Sequence, residues 1–505
     1  MRFAMVERWQ ASSLSSRLAR NWSAGVIGQI ATIASPLILT PLFLNRWGAA
    51  DYGIWLTMTA AVTYLSTIDF GAQTYFTNIL TELHAKGDGA GFNRLLAKAL
   101  SFTLALSSIG LAVVLGGLAL YGAQPSSRFP RPAVVVFLLA LQVLTALPTG
   151  VLMGTYRARG EYARSQLVWS GQRLATAVAV AGALVAGLGS EAVAAAHVIP
   201  ALGCGLFAIR DLTRRHADLH LGLGPVSLLD LKNWCAPSVL FYGVQVLQFA
   251  NVQGALLLIG WTLGPVAVAA FASTRTIANL IKTATGTMRN AVWNELTALE
   301  ARGEWERVRQ VHRTIMIVTI SIASGGWAFL HLGGADLMRM WSHGKIAYDS
   351  QLADYLLAGA LLEAVWGPGA TVLLAGNRPR QLTVAMTAGL ALGFAAGTLL
   401  LGRMGVAGMA LGMVLGELVS TAWIVPVAAC RAIADSVFLY ARRAAVLLVI
   451  MLATCAAVLW PVSEATQSSA AFTRIASLAL LSAGVVIAVT GTFLFRQRRE
   501  IPAAI

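Results

Sequence analysis

The residues that could do chemistry in this chain are few: ionisable groups set inside long apolar runs. Arg275 and Lys282 lie seven positions apart in the run 264–286. Seven residues make about two helical turns, so both fall on one face, roughly 10 Å apart along the axis. Charge in a bilayer core is expensive and ordinarily faces a cavity or a partner. A guanidinium can grip a phosphate through two hydrogen bonds, so this pair suits a diphosphate. The alternatives are a Lys282 that snorkels to the interface and an Arg275 that pairs with a buried carboxylate. Arg173, eight residues into the run 165–186, is a weaker candidate for the same anion.

Glu363 in the run 353–374 and Glu417 in 405–428 could carry a proton or hold Na⁺, coupling work to an ion gradient, or could neutralise Arg275. Gln245, Gln248 and Asn251 recur every three residues in 236–260 and form one polar stripe. It suits sugar hydroxyls or hydrogen bonds between helices. Asp69 ends the run 52–71 in an Asp-x-Gly pattern, where a hinge or cap is expected rather than substrate contact. Pro41, and Pro368 within Trp366-Gly367-Pro368-Gly369, are candidate bends for gating, because proline removes a backbone bond; static kinks fit as well. The ladders Gly389, Gly393, Gly397 and Gly408, Gly412, Gly416 allow close backbone approach, which is packing and not chemistry.

The elements that must position these groups follow from composition. The chain has 505 residues, 57% hydrophobic and 12% charged, where a soluble protein carries about 25% charged residues. This is the composition of an all-α polytopic membrane protein. The net charge of +15 sits in short loops between apolar runs, which points to topology and not to nucleic acid. Four cysteines without a CxxC pair or a histidine cluster suggest no metal centre. There is no GxxxxGK[ST] phosphate loop and no loop large enough for a catalytic domain, so no enzyme activity and no cofactor are expected.

A crossing needs about 20 apolar residues. Fourteen runs qualify: 22–44, 52–71, 98–121, 133–153, 165–186, 191–209, 236–260, 264–286, 314–333, 353–374, 381–401, 405–428, 443–462 and 474–495. With both termini inside, 27 of the 37 Lys and Arg fall on the inner side, seven outside and three within spans, as retention of positive charge in the cytoplasm requires. Residues 1–21, with Arg8, Arg17 and Arg20 around Trp9, Leu14 and Leu18, suit a basic amphipathic segment on the inner leaflet.

The sequence also repeats itself. At a shift of 216, Gly48 falls on Gly264, Gly87 on Gly303, Asp88 on Glu304, Gly160 on Gly376 and Gly189 on Gly405. Six spans separate the copies, so orientation is kept. The expected plan is a lobe over 22–210, an inner loop over 211–235, a parallel second lobe over 236–430, and two further spans with an inner tail over 431–505.

The stretch LNRWGAADYGIW, followed by STIDFGAQTYFTNIL and a basic inner loop, resembles polysaccharide-export flippases of the multidrug/oligosaccharidyl-lipid/polysaccharide (MOP) exporter superfamily. That resemblance implies a V-shaped bundle of two six-helix lobes in a bacterial inner membrane. It implies alternating-access movement of an undecaprenyl-pyrophosphate-linked saccharide, beside membrane lipids and within reach of a polysaccharide polymerase or export complex. A cation-coupled multidrug exporter of the same superfamily is one alternative. A membrane polymerase or glycosyltransferase is the other, although the longest outer loop, 334–352, is modest for one.

Overall fold

A computed structural model describes residues 2–69, 71–122, 125–227, 230, 234 and 239–499. The side chains of residues 1–31 lie outside the described residues, and with them Arg8, Arg17 and Arg20; so do Cys235 and residues 228, 229 and 231–233 of the expected inner loop 211–235. The chain is helical, with no strand among the described residues. Ten helical stretches there are long and apolar enough to cross a membrane, and the protein is a multi-pass membrane protein. One of the ten, Pro379–Ala432, has 54 residues. At 1.5 Å per residue it is long enough for two passes of a core about 30 Å thick, and its backbone leaves helical geometry at Gly405.

In chain order the helices are α1 (Arg2–Thr63), α2 (Ala72–Ala85), α3 (Gly89–Tyr121), α4 (Pro132–Ala158), α5 (Tyr162–Val185) and α6 (Ser190–Arg215). They continue as α7 (Val239–Phe249), α8 (Ala255–Leu263), α9 (Pro265–Ala301), α10 (Trp305–Trp341) and α11 (Ser350–Ala375). The last are α12 (Pro379–Val419), α13 (Thr421–Ala432), α14 (Val437–Ala465) and α15 (Ala471–Arg499).

The repeat is written into helix ends. Gly48 interrupts α1 at φ 78°, ψ 175°, and Gly264 precedes α9 at φ 85°, ψ 179°. The ends of α2 and α9 match as well: the Asp88 N–H donates to Leu83 O and the Glu304 N–H to Leu299 O, both at 3.0 Å. Gly87 and Gly303 sit between them at φ 72° and 71°. A side chain is strained at such φ values, which is why glycine ends these helices. The correspondence slips later. The left-handed residue after α4 is Gly160, whereas after α11 it is Asn377, so Gly160 answers to Asn377 rather than Gly376. Gly189 is extended while Gly405 is left-handed.

The chain divides into two compact units, Met1–Asp51 with Met58–Tyr242, and Tyr52–Thr57 with Gly243–Ile505. In the first, Phe76 of α2, Phe102 of α3 and Trp234 meet edge-to-face, with centroids 4.9–6.0 Å apart. A strap after α6 is tied across α3. The Asn93 amide donates to Asp218 O at 2.9 Å, the Gly224 N–H donates to Ser101 Oγ at 2.9 Å, and Lys98 Nζ meets Asp230 at 2.9 Å. Arg159 holds Asp218 from the end of α4. Together these contacts fasten the segment that leaves α6.

In the second unit, α9, α10, α11 and α12 bury a common core around Leu296, Ile315, Leu373 and Leu382. The two halves of α12 lie back to back through the glycine ladders. A β-carbon on Gly412 would stand 2.2 Å from Gly397 N, and one on Gly416 2.2 Å from Gly389 O. Helices α14 and α15 pack on α10, where the Ser482 hydroxyl donates to Gly325 O at 2.8 Å.

Candidate functional site

Three cations stand on α9 at intervals of seven: Arg275, Lys282 and Arg289. The last was not among the sequence candidates, because the apolar run ends at 286 while the helix continues to Ala301. One more step of seven along the stripe would have found it.

Lys282 and Arg289 converge on Glu363 of α11. Lys282 Nζ lies 3.1 Å from Oε2, and Arg289 Nη2 donates to Oε1 at 2.7 Å. The Arg289 guanidinium lies against Gly367, where a β-carbon would stand 2.2 Å from Nη1. The glycine in the Trp-Gly-Pro-Gly sequence is thus what admits the arginine. Nη1 itself is buried without a hydrogen-bond partner among the described residues. The Arg289 and Glu363 side chains are 16% and 17% exposed, whereas Lys282 keeps 35%. Two cations therefore share one carboxylate, and the lysine is the member open to a ligand.

Glu417, in the second half of α12, accepts from Trp366 Nε1 at 2.6 Å. Its carboxylate lines a cavity of about 50 Å³ with Asn251, Thr421, Gly389 and Gly393, room for a few waters or a bare cation. The close glycine seam of α12 brings Glu417 to this wall.

The remaining candidates separate. Among the described residues Arg275 pairs with no carboxylate; its Nη1 donates to Val252 O at 2.8 Å and its guanidinium lies 5.4 Å from the Phe271 ring. Val252 belongs to a π turn, Ala250–Gly254, between α7 and α8. Such a turn breaks the α ladder, and Arg275 satisfies the carbonyl there. Of the expected Gln245–Gln248–Asn251 stripe, both glutamines are exposed on α7, and Asn251, within the π turn, lines the Glu417 cavity. Arg173 is in the first unit, where its Nη1 donates to Thr32 Oγ1 at 2.8 Å.

Asp69 lies just ahead of α2, whose N-terminal flanking residue is Gly71. It accepts from the Gln73 amide at 2.9 Å and from the Gly71 N–H at 3.3 Å, with Gly71 at φ 77°. Pro41 lies within α1, whose break comes at Gly48 instead; Pro368 lies within a continuous α11.

No protein-family model matches the sequence, and no curated protein matches it. Solved structures do. The lipid II flippase MurJ in its inward closed conformation superposes with a TM-score of 0.69 at 10% identity, covering 95% of this chain and 99% of that one. A multidrug resistance MATE family transporter of the MOP superfamily in an inward-facing conformation gives 0.66 at 14% identity, covering 81% and 94%. An outward-facing MATE transporter gives 0.56 at 15% identity, covering 85% and 96%. The chain has the fold that these MATE and MurJ transporters share.

Proposed function

We propose that this protein is an alternating-access flippase. Its substrate would be an undecaprenyl-diphosphate-linked saccharide, moved across a bacterial inner membrane for polysaccharide export. The observation that carries this reading is the Lys282–Glu363–Arg289 set: two cations on one carboxylate where α9 packs on α11, with Lys282 partly exposed and Arg289 Nη1 unpartnered among the described residues. A diphosphate is the class of ligand that would take the surplus positive charge. Arg275, seven residues along the same stripe, and Arg173 are secondary donors; Gln245 and Gln248, exposed on α7, are the sugar contacts. Fourteen crossings with both termini inside, and the lobe boundaries read from the repeat, belong to the same proposal. So does work beside a polysaccharide polymerase. Support also comes from the share of the chain that the MurJ comparison covers, larger than in the MATE comparisons.

Binding is the test. A fluorescent polyprenyl-diphosphate saccharide should bind the purified protein, and Lys282→Gln with Arg289→Gln should weaken it at least about tenfold, the value of one or two charge-assisted hydrogen bonds. Equal affinity for a neutral lipid-linked saccharide, or no change in the double variant, would overturn the assignment.

A second reading has its own observation. The Glu417 cavity, with Trp366 and Asn251, has the acidic lining that a proton or Na⁺ needs, and a cation-coupled drug exporter would use it. Glu417, with Glu363, is our proposed coupling group in either case. Uptake of a cationic dye driven by an ion gradient, without any lipid crossing, would select the exporter.

A further inference from the structure

A second basic site lies in the first unit, apart from the Lys282–Glu363–Arg289 set. Between α5 and α6 runs a groove of about 500 Å³, the size of a small-ligand site. Its walls are mainly apolar, with Leu167 and Val168 on α5 and Pro200 and Phe207 on α6. Gly171 and Gly203 keep it open: a β-carbon on either would meet nothing within 4 Å. Of its polar members, Gln172 lies midway and Arg164 stands where α5 begins. On α6, Arg214 follows Phe207 by seven residues, about two turns, and so continues the face that lines the groove. Arg215 is the last residue of that helix.

The charge at this end is positive. Arg164 Nε donates to Asp211 Oδ2 at 2.7 Å, and its Nη2 donates to Oδ1. Arg215 Nε lies 3.4 Å from the same carboxylate, and the Tyr156 hydroxyl donates to it at 2.6 Å. Arg214 is exposed and meets no carboxylate among the described residues. Glu161, just ahead of α5, lies 3.3 Å from His216 instead. Three arginines thus stand against one aspartate.

The length of the groove decides what kind of anion fits. Arg164 and Ala175, both in its wall, are about 16 Å apart along α5. That is close to one leaflet of a hydrocarbon core about 30 Å thick. Leu167 and Phe207 are 48% and 50% exposed, so the walls meet lipid. A soluble anion would use the arginines and leave the walls idle, whereas an acyl chain with an acidic head group uses both. Basic pockets between spans are where acidic head groups bind. We infer that this groove holds an anionic phospholipid, its phosphate on Arg214 and Arg215 and one acyl chain along Leu167, Phe207 and Ala175. The lipid is bound and not moved, so the inference is independent of the transported substrate.

The full chain, purified in neutral detergent, would be given phosphatidylglycerol or phosphatidylcholine with a diazirine in an acyl chain, then illuminated and its labelled peptides mapped. Phosphatidylglycerol should label residues 167–175 or 200–207 at least about tenfold more than phosphatidylcholine, the value of one or two charge-assisted hydrogen bonds. Arg214→Gln with Arg215→Gln should remove that preference. Gly171→Leu with Gly203→Leu fills open space and leaves the arginines alone, so it should abolish labelling there with the melting temperature kept. The comparison of the two lipids on the unaltered protein decides even where a variant fails to fold. Equal labelling by both lipids, a preference that survives in the arginine variant, or undiminished labelling in the glycine variant would overturn the site. Competition by inorganic pyrophosphate as strong as by unlabelled phosphatidylglycerol would overturn its assignment to a lipid. Stronger competition by a polyprenyl diphosphate would make it a substrate site instead.

Discussion

At the scale of residues, Glu363 is the hinge of the account because it serves two cations at once. Glu363→Gln takes from Arg289 its carboxylate partner and leaves Lys282 only the influence of Glu417. Removing one member of a buried ion pair costs on the order of 3–5 kcal/mol, so a large fall in melting temperature is expected, and Lys282→Gln should cost less because that side chain is more open. Equal melting temperatures for both variants and the unaltered protein would contradict the network. Gly367→Ala tests the same contact from the other side. Its methyl would meet Arg289 Nη1, so the guanidinium must leave Glu363 and diphosphate binding should fall while the helix remains. The sequence made Lys282 and Glu363 visible as buried charges, but not as a pair. They lie 81 positions apart, and only the packing of α9 on α11 joins them. Arg289 escaped notice for a different reason: hydrocarbon thickness ends a span, yet it does not end a helix.

At the scale of elements, turns were the most legible features and interior irregularities the least. Gly48 with Gly264, and Gly87 with Gly303, repeat because a left-handed backbone position selects glycine, and selection of that kind can be seen in the residues themselves. The π turn at Ala250–Gly254 carries no such mark, so a sequence reading sets Asn251 on a regular helix where the chain has a π turn. The glycine seam within α12 was legible from its four-residue spacing. Gly412→Ala would drive a methyl into the Gly397 backbone. Overpacking of this kind costs about 1–3 kcal/mol or more, to be read as a lower melting temperature, whereas Gly402→Ala, with open space around it, should be silent. The strap over α3 gives a pH prediction. Its Asp230 carboxyl is held down at about 2 by the Lys98 ammonium and by the Ser227 N–H and hydroxyl. Because that value lies below the ordinary 3.8, the contact stabilises the strap above about pH 4 and is lost as pH falls toward 2. Hydrogen exchange at the Gly224 amide should be faster in Asp230→Asn than in the unaltered protein at neutral pH, and the difference should vanish near pH 2.

At the scale of the whole molecule, composition and loop charge were enough to read a multi-pass helical membrane protein. The fold shared with MATE transporters and MurJ is a helical membrane-transporter fold, as the resemblance near the N-terminus implies, while the polysaccharide cargo of that resemblance belongs to the proposal. What composition does not carry is the cargo, since the same fold occurs in a multidrug resistance transporter and in a lipid II flippase. The most direct measurement is therefore leaflet exchange. The purified protein would be placed in liposomes with a fluorescent polyprenyl-diphosphate saccharide, and its accessibility to a quencher outside followed over time. The account predicts protein-dependent crossing that collapses in Lys282→Gln with Arg289→Gln and slows in Glu417→Gln. Crossing that proceeds unchanged in the double variant, or no crossing at all with a cationic dye moved instead, would contradict it.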